Sequence, residues 1–178
     1  MKKFILGLVI GLVLIPAAVM VYFLAGMAPV ATSAPPMPFE KLLARIGLNS
    51  KVANQAPKDA PFVPDEQTYL AGAQLYRQDC AVCHGLPQQP LTAIAKGMYP
   101  KPPQLFRGKG VTDDSAGETY WKVANGIRLT GMPGFEQSLS AQQMWQISLL
   151  LANADKLPAP AQQVLSGSAE VTQISKPH

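Results

Sequence analysis

An all-α fold behind a separate N-terminal membrane helix is what this chain predicts, on three observations. An apolar run free of charge fills Phe4 to Ala28. Helix-start signals recur at Pro64-Asp65-Glu66, at Ser115 with Glu118 and at Ser140 with Gln143. No stretch repeats the apolar–polar alternation that a half-buried sheet requires. At 178 residues there is room for one domain of roughly 100–150 residues and an extension. Net charge is +4, of which Lys2 and Lys3 supply two, and the remaining +2 (4 minus 2) is too weak to argue for nucleic acid.

Residues 1–28 read as a transmembrane anchor or signal. A bilayer span needs about 20 apolar residues, whereas a cleaved signal carries roughly 7–15, so length favours the anchor. Ala31-Thr32-Ser33 is the nearest cleavage-like triplet, and it is imperfect and late. The lysines ahead of the span should stay in the cytoplasm, which puts the rest of the chain outside: a single-pass inner-membrane protein with its domain on the periplasmic side. Pro16 is tolerable inside the span as a kink.

Residues 29–64 read as a linker with one short amphipathic helix. Ala, Pro, Ser and Thr make its first part a semi-extended spacer. Phe39, Leu42, Leu43 and Ile46 then fall at i, i+3, i+4 and i+7, with Glu40, Lys41 and Arg45 between them. Such a helix packs on the domain, on the membrane surface or on a partner subunit. A second linker, Ser50 to Pro64, carries Pro57, Pro61 and Pro64.

Residues 65–158 read as the domain. Asp65 and Glu66 favour a helix start by complementing the macrodipole, and the helix should run through Tyr69, Leu70, Ala73 and Tyr76 toward Cys80. Ser115 and Glu118 form a capping-box pair ahead of Thr119 to Asn125, with Gly126 at the C-terminal position. Ser140 and Gln143 repeat the box before Met144 to Ala154, where Met144, Ile147, Leu150, Leu151 and Ala154 share a face that should close on the first domain helix. Residues 159–178, rich in Pro, Ala, Ser and Gln, read as a mobile tail.

The chemistry concentrates in Cys80-Ala81-Val82-Cys83-His84, which holds the chain's two cysteines and one of its two histidines. Two thiols at this spacing followed at once by an imidazole can form thioethers to two haem vinyl groups and reach the iron. A thioredoxin-like pair would want a βαβ context, and zinc would want four ligands where only His178 remains. The assignment is one covalent haem c, with His84 as first iron ligand. A neutral methionine thioether is the expected sixth ligand. Met1, Met20, Met27 and Met37 lie in anchor and tether and Met144 in a core-like helix, leaving Met98 and Met132. Met132 is favoured, because Thr130-Gly131-Met132-Pro133-Gly134 combines glycines that permit close approach to a flat cofactor with a stiffening proline. Met98 is read as a wall or surface residue.

Gly72-Ala73-Gln74-Leu75-Tyr76 leading into Cys80-Ala81-Val82-Cys83-His84-Gly85, then Pro103-Gln104-Leu105 and Gly131-Met132-Pro133, resembles the class I mono-haem cytochromes c of bacteria over about residues 65–158. The resemblance implies a cytochrome c fold around one covalently attached haem, and a proline carbonyl that accepts from the proximal histidine. Pro103 is the best match, with Pro102 the alternative. It also implies contact between first and last helices through Gly72 and Tyr76. Family members serve as soluble carriers and as oxidase or dehydrogenase subunits. The expected function is therefore electron transfer without catalysis, with redox protein partners such as a respiratory membrane complex. A haem enzyme or gas sensor with an open sixth position is the alternative. Lys96, Lys101, Arg107 and Lys109 are candidates for a basic rim around the haem edge, and Trp121, Tyr120 and Arg128 for haem lining or propionate contacts.

Overall fold

The computed structural model describes residues 1–107 and 112–167 of the chain. It is helical throughout, with no strand among the described residues. Two compact units divide it, Met1–Leu43 and Ala44–His178.

The first unit is dominated by α1, Lys2–Leu24, which contains Pro16. Twenty-three residues at about 1.5 Å each give about 34 Å, enough for a hydrocarbon core of about 30 Å. None of its apolar window is buried within the protein, so α1 has the length and composition to cross a membrane. The second helix, α2, spans Glu40–Gln55 and so begins in the first unit and runs into the second. It is longer than the sequence suggested. Its last turns, with Val52 buried, occupy the beginning of the expected second linker.

The second unit continues with α3 (Glu66–Leu75), a π-helical turn (Tyr76–Cys80), α4 (Ala81–His84), α5 (Ala93–Gly97), α6 (Ala116–Asn125), α7 (Ala141–Ala152) and α8 (Ala159–Ser166). Capping boxes start three of these helices, at Asp65 with Thr68, Ser115 with Glu118 and Ser140 with Gln143. The helix α3 packs on both α7 and α8, and α6 packs on α7. Gly72 sets the α3–α7 crossing: a Cβ there would lie 2.4 Å from the Gln146 carbonyl oxygen and 3.2 Å from Leu150 Cβ. Tyr120 of α6 stacks on Trp145 of α7 with centroids 4.4 Å apart.

Two buried clusters result. Ala73, Tyr76, Ala81, Leu150, Leu157, Ala161, Val164 and Leu165 make one. Leu75, Val123, Leu139, Met144 and Ile147 make the other. The first cluster corrects the reading of 159–178 as a tail, since Ala159–Ser166 is a helix with Ala161, Val164 and Leu165 buried. Pro160 suits its first turn and Gly167 ends it at φ +84°. Arg77 reaches across to donate to the Val164 carbonyl at 2.8 Å. The apolar residues of this helix are spaced for one face, and composition alone hides that. Residues 168–178, with His178, lie outside the described residues.

Candidate haem site

Cys80 closes the π-helical turn and Cys83 and His84 sit one turn further on in α4, so one continuous helical run from α3 carries all three. Insertions of this kind favour functional positions because they re-aim the side chains that follow. Both cysteines are free thiols. Cys80 packs against both buried clusters, and burial, helped by Asp79 and Cys83, pushes its thiol up to about 12. A dithiol exchange site needs the opposite shift, since the thiolate is the nucleophile.

The run ends at Gly85, whose φ of +73° turns the chain away. His84 Nδ1 lies 2.8 Å from the Pro103 carbonyl oxygen. A carbonyl only accepts, so Nδ1 carries the proton and donates, and Nε2 keeps its lone pair for a metal. Burial lowers the His84 pKa and the bond to Pro103 opposes that shift in part, which leaves the neutral, ligating form favoured. Between the two prolines, this geometry singles out Pro103. The neighbouring Tyr76 is fully buried and pushed upward by burial; it donates to the Gly85 carbonyl at 2.8 Å and meets Phe106 edge-on at 4.9 Å.

Met132 belongs to a loop clamped on the end of α6. Ile127 N–H donates to the Met132 carbonyl at 3.1 Å, while Thr130 Oγ1 donates to the Ile127 carbonyl at 2.7 Å and accepts from Met132 N–H at 3.1 Å. Phe135 N–H bonds the Val123 carbonyl at 2.9 Å. Gly126, at φ +67°, lets these strands of backbone touch: a Cβ on it would lie 2.5 Å from Gly134 N and 2.8 Å from the Met132 carbonyl oxygen. Met132 and Cys80 pack against the same buried cluster. Met98, the residue ending α5, is half-buried with its methyl against Gly131, which makes it a wall of the Met132 loop.

The other expected residues divide. Trp121 donates its indole N–H to Gln55 Oε1 at 3.3 Å, so its polar edge is engaged by α2. Arg128 is exposed. Tyr120 joins the second cluster through its ring. Lys96, Lys101 and Arg107 are exposed, with Arg107 donating to the Gln89 carbonyl, and Lys109 lies outside the described residues. Thr130 and Thr92 were not singled out from the sequence. Thr92 caps α5 and donates to the Val82 carbonyl at 2.6 Å, tying α5 to the attachment segment. Their signal is a hydroxyl placed to bond its own turn, which many surface threonines share.

These residues fit a haem. The thiols are unpaired, the imidazole keeps one nitrogen for iron, and a methionine loop stands on the cluster that Cys80 touches. Both polar atoms of the Gln104 side chain, beside Gly85, are buried with no hydrogen-bond partner among the described residues, as happens where a bound group completes a site.

Residues 67–149 match the family model described as cytochrome C oxidase, cbb3-type, subunit III. A mono-haem c-type cytochrome domain of this kind implies covalently bound haem c and electron transfer. A chain of the Kuenenia stuttgartiensis reducing HAO-like protein complex is similar at 26% identity and a TM-score of 0.46, over 53% of this chain and 47% of that one. This chain therefore spans about half the length of that one. No curated protein matches the sequence.

Proposed function

We propose that this protein is a membrane-held electron carrier of the periplasmic face, delivering to or within a respiratory oxidase or dehydrogenase. Cys80 and Cys83 would hold the haem, and His84 and Met132 its iron. The observation that carries this reading is the His84 Nδ1–Pro103 contact of 2.8 Å, which fixes the tautomer a haem ligand needs. The family description of an oxidase subunit supports the choice of partner, and Lys2 and Lys3 ahead of α1 support the sidedness.

The bound haem supplies a reversible one-electron couple between ferrous and ferric iron. The chain supplies the conditions for it. Pro103 keeps the His84 ring in one orientation, so little rearrangement accompanies each electron. Thr130 and Gly126 hold the Met132 loop against α6, which keeps a neutral thioether in place and favours the reduced state. With His84 and Met132 both holding the iron, no position would be left for a substrate, and the protein would act as a carrier. Exposed Lys96, Lys101 and Arg107 would help to steer an acidic redox partner to the domain.

The test is spectroscopic. Denaturing electrophoresis of the matured protein should show peroxidase-stained haem migrating with the polypeptide, and Cys80→Ala with Cys83→Ala should abolish it. Met132→Ala should remove the far-red charge-transfer band of the ferric protein and let ferrous protein bind CO. Survival of that band in Met132→Ala would rule out Met132. Ready CO binding by the unaltered protein would favour a sensor or enzyme instead. Purification in mild detergent distinguishes a complex subunit, which co-migrates with its oxidase, from a carrier that emerges alone.

A further inference from the structure

We infer that α2 lies in the lipid–water interface, seating Phe39, Leu42, Leu43 and Ile46 among the acyl chains of the membrane that α1 spans. The inference rests on the reading of α1 as an anchor. Leu42, Leu43 and Ile46 of α2 are 54%, 67% and 57% exposed and Phe39, immediately before the helix, is 73% exposed, a density of uncovered apolar surface that no other described helix except α1 carries.

The domain does not account for this face, because α2 has a second one. At about 100° per residue, Leu48 and Val52 project about 150° around the helix from the centre of the exposed set. Leu48 is half-buried and Val52 is 3% exposed, and Gln55 accepts the Trp121 indole. Leu48 and Val52 thus mark the covered side of α2, and Leu42, Leu43 and Ile46 fall on the opposite side of the same helix.

Three observations favour lipid as the occupant. Ala25 to Phe39 is a 15-residue connection from the end of α1, a reach of about 50 Å at most, so a bilayer holding α1 is always available to α2 without a second molecule. The helix carries Lys41, Arg45 and Lys51 against Glu40, a surplus of +2 that suits anionic headgroups. The patch itself contains only hydrocarbon side chains, four of them. A stable protein interface buries about 1,200–2,000 Å² and carries hydrogen bonds, which this patch cannot supply, whereas an interfacial helix already tethered needs neither.

The experiment uses the full-length, haem-loaded protein in vesicles of mixed zwitterionic and anionic phospholipid. In that form Cys80 and Cys83 are taken up by the haem, so a cysteine placed at one position gives a unique nitroxide label. Leu43→Cys and Ile46→Cys report the exposed face, Ala44→Cys and Lys51→Cys other sides of α2, and Val13→Cys the middle of α1. Accessibility to oxygen against a water-soluble nickel chelate should be lipid-like at 43, 46 and 13 and water-like at 44 and 51. If 43 and 46 are as accessible to nickel as 51 while 13 remains in lipid, the inference fails and the anchor stands. If 13 is aqueous as well, both fail. Spin–spin broadening at 43 that vanishes as the protein is diluted in lipid would assign the face to a second copy and overturn the lipid assignment.

Discussion

Gly126 sits where the end of α6 meets the backbone of Met132 to Gly134, and its lack of a side chain holds the methionine loop in place. At φ +67° an L-residue is strained, and a Cβ would meet Gly134 N and the Met132 carbonyl at 2.5 and 2.8 Å, neither of which is the movable end of a side chain. Gly126→Ala should therefore cost about 1–3 kcal/mol and push the Met132 backbone outward. The expected result is a lower unfolding midpoint together with a weakened far-red ferric band, the haem itself remaining attached. An unchanged band would mean the loop adapts. Gly131 differs, because the atom in its way is the flexible Met98 methyl, which can move. At this scale the sequence can be read where a residue's own atoms would do the work, which is how the thiols, the imidazole and the thioether become candidates. It was illegible where backbone does it. Pro102 and Pro103 look alike in sequence, and only the path of the chain puts the Pro103 carbonyl against His84 Nδ1.

Helices entered the fold with their starts already written. The boxes at Ser115 and Ser140 were readable because each hydroxyl and its partner three residues on satisfy orphan N–H groups by local geometry alone. Asp65 makes a pH-sensitive version. Its hydrogen bonds with Thr68 lower its pKa from the usual 3.8, so the folded state holds the ionised carboxylate more firmly than the unfolded chain does. The stabilisation is present in full above that usual value and is lost as pH falls through the lowered one. Comparing acid unfolding of the protein with Asp65→Asn should show the variants converging at the acid end and separating toward neutral pH; parallel curves would deny the cap any charge dependence. Gly72 governs how the first helix meets α7. A methyl group 2.4 Å from the Gln146 carbonyl must part the helices, so Gly72→Ala should cost about 1–3 kcal/mol through overpacking, measured by denaturant midpoint. Two elements were misread for one reason. The helix α2 hides its second face, Leu48 and Val52, off the stripe that Phe39 to Ile46 make, and α8 carries its three buried residues in Ala-, Pro- and Gln-rich surroundings. In both, tertiary packing rather than local composition decides the structure.

The domain as a whole closes on itself through α8, and that closure reaches the haem site. Tyr76 and Ala81, which bracket Cys80, share a buried cluster with Ala161, Val164 and Leu165, so the attachment segment rests on the last described helix. Arg77 of the π-helical turn reinforces it by donating to the Val164 carbonyl. A chain stopped after Pro158 should uncover Tyr76 and Leu150 and lose the burial of Val164 and Leu165, worth about 1.5–3 kcal/mol each. Since the unfolded chain already buries some of that surface, about 3–6 kcal/mol is an upper figure, yet it is a large part of the about 5–15 kcal/mol that holds a domain of this size. The truncated protein should still carry haem through denaturing electrophoresis, because covalent attachment does not depend on the fold once made. Its unfolding midpoint, followed by the Soret band in guanidinium, should fall sharply, and Leu165→Ala in the full chain should fall by about 2–5 kcal/mol in the same direction. A truncated chain that unfolds with the midpoint of the intact one would show that α3 and α7 sustain the site unaided, and would remove α8 from the account of how the cysteines are held.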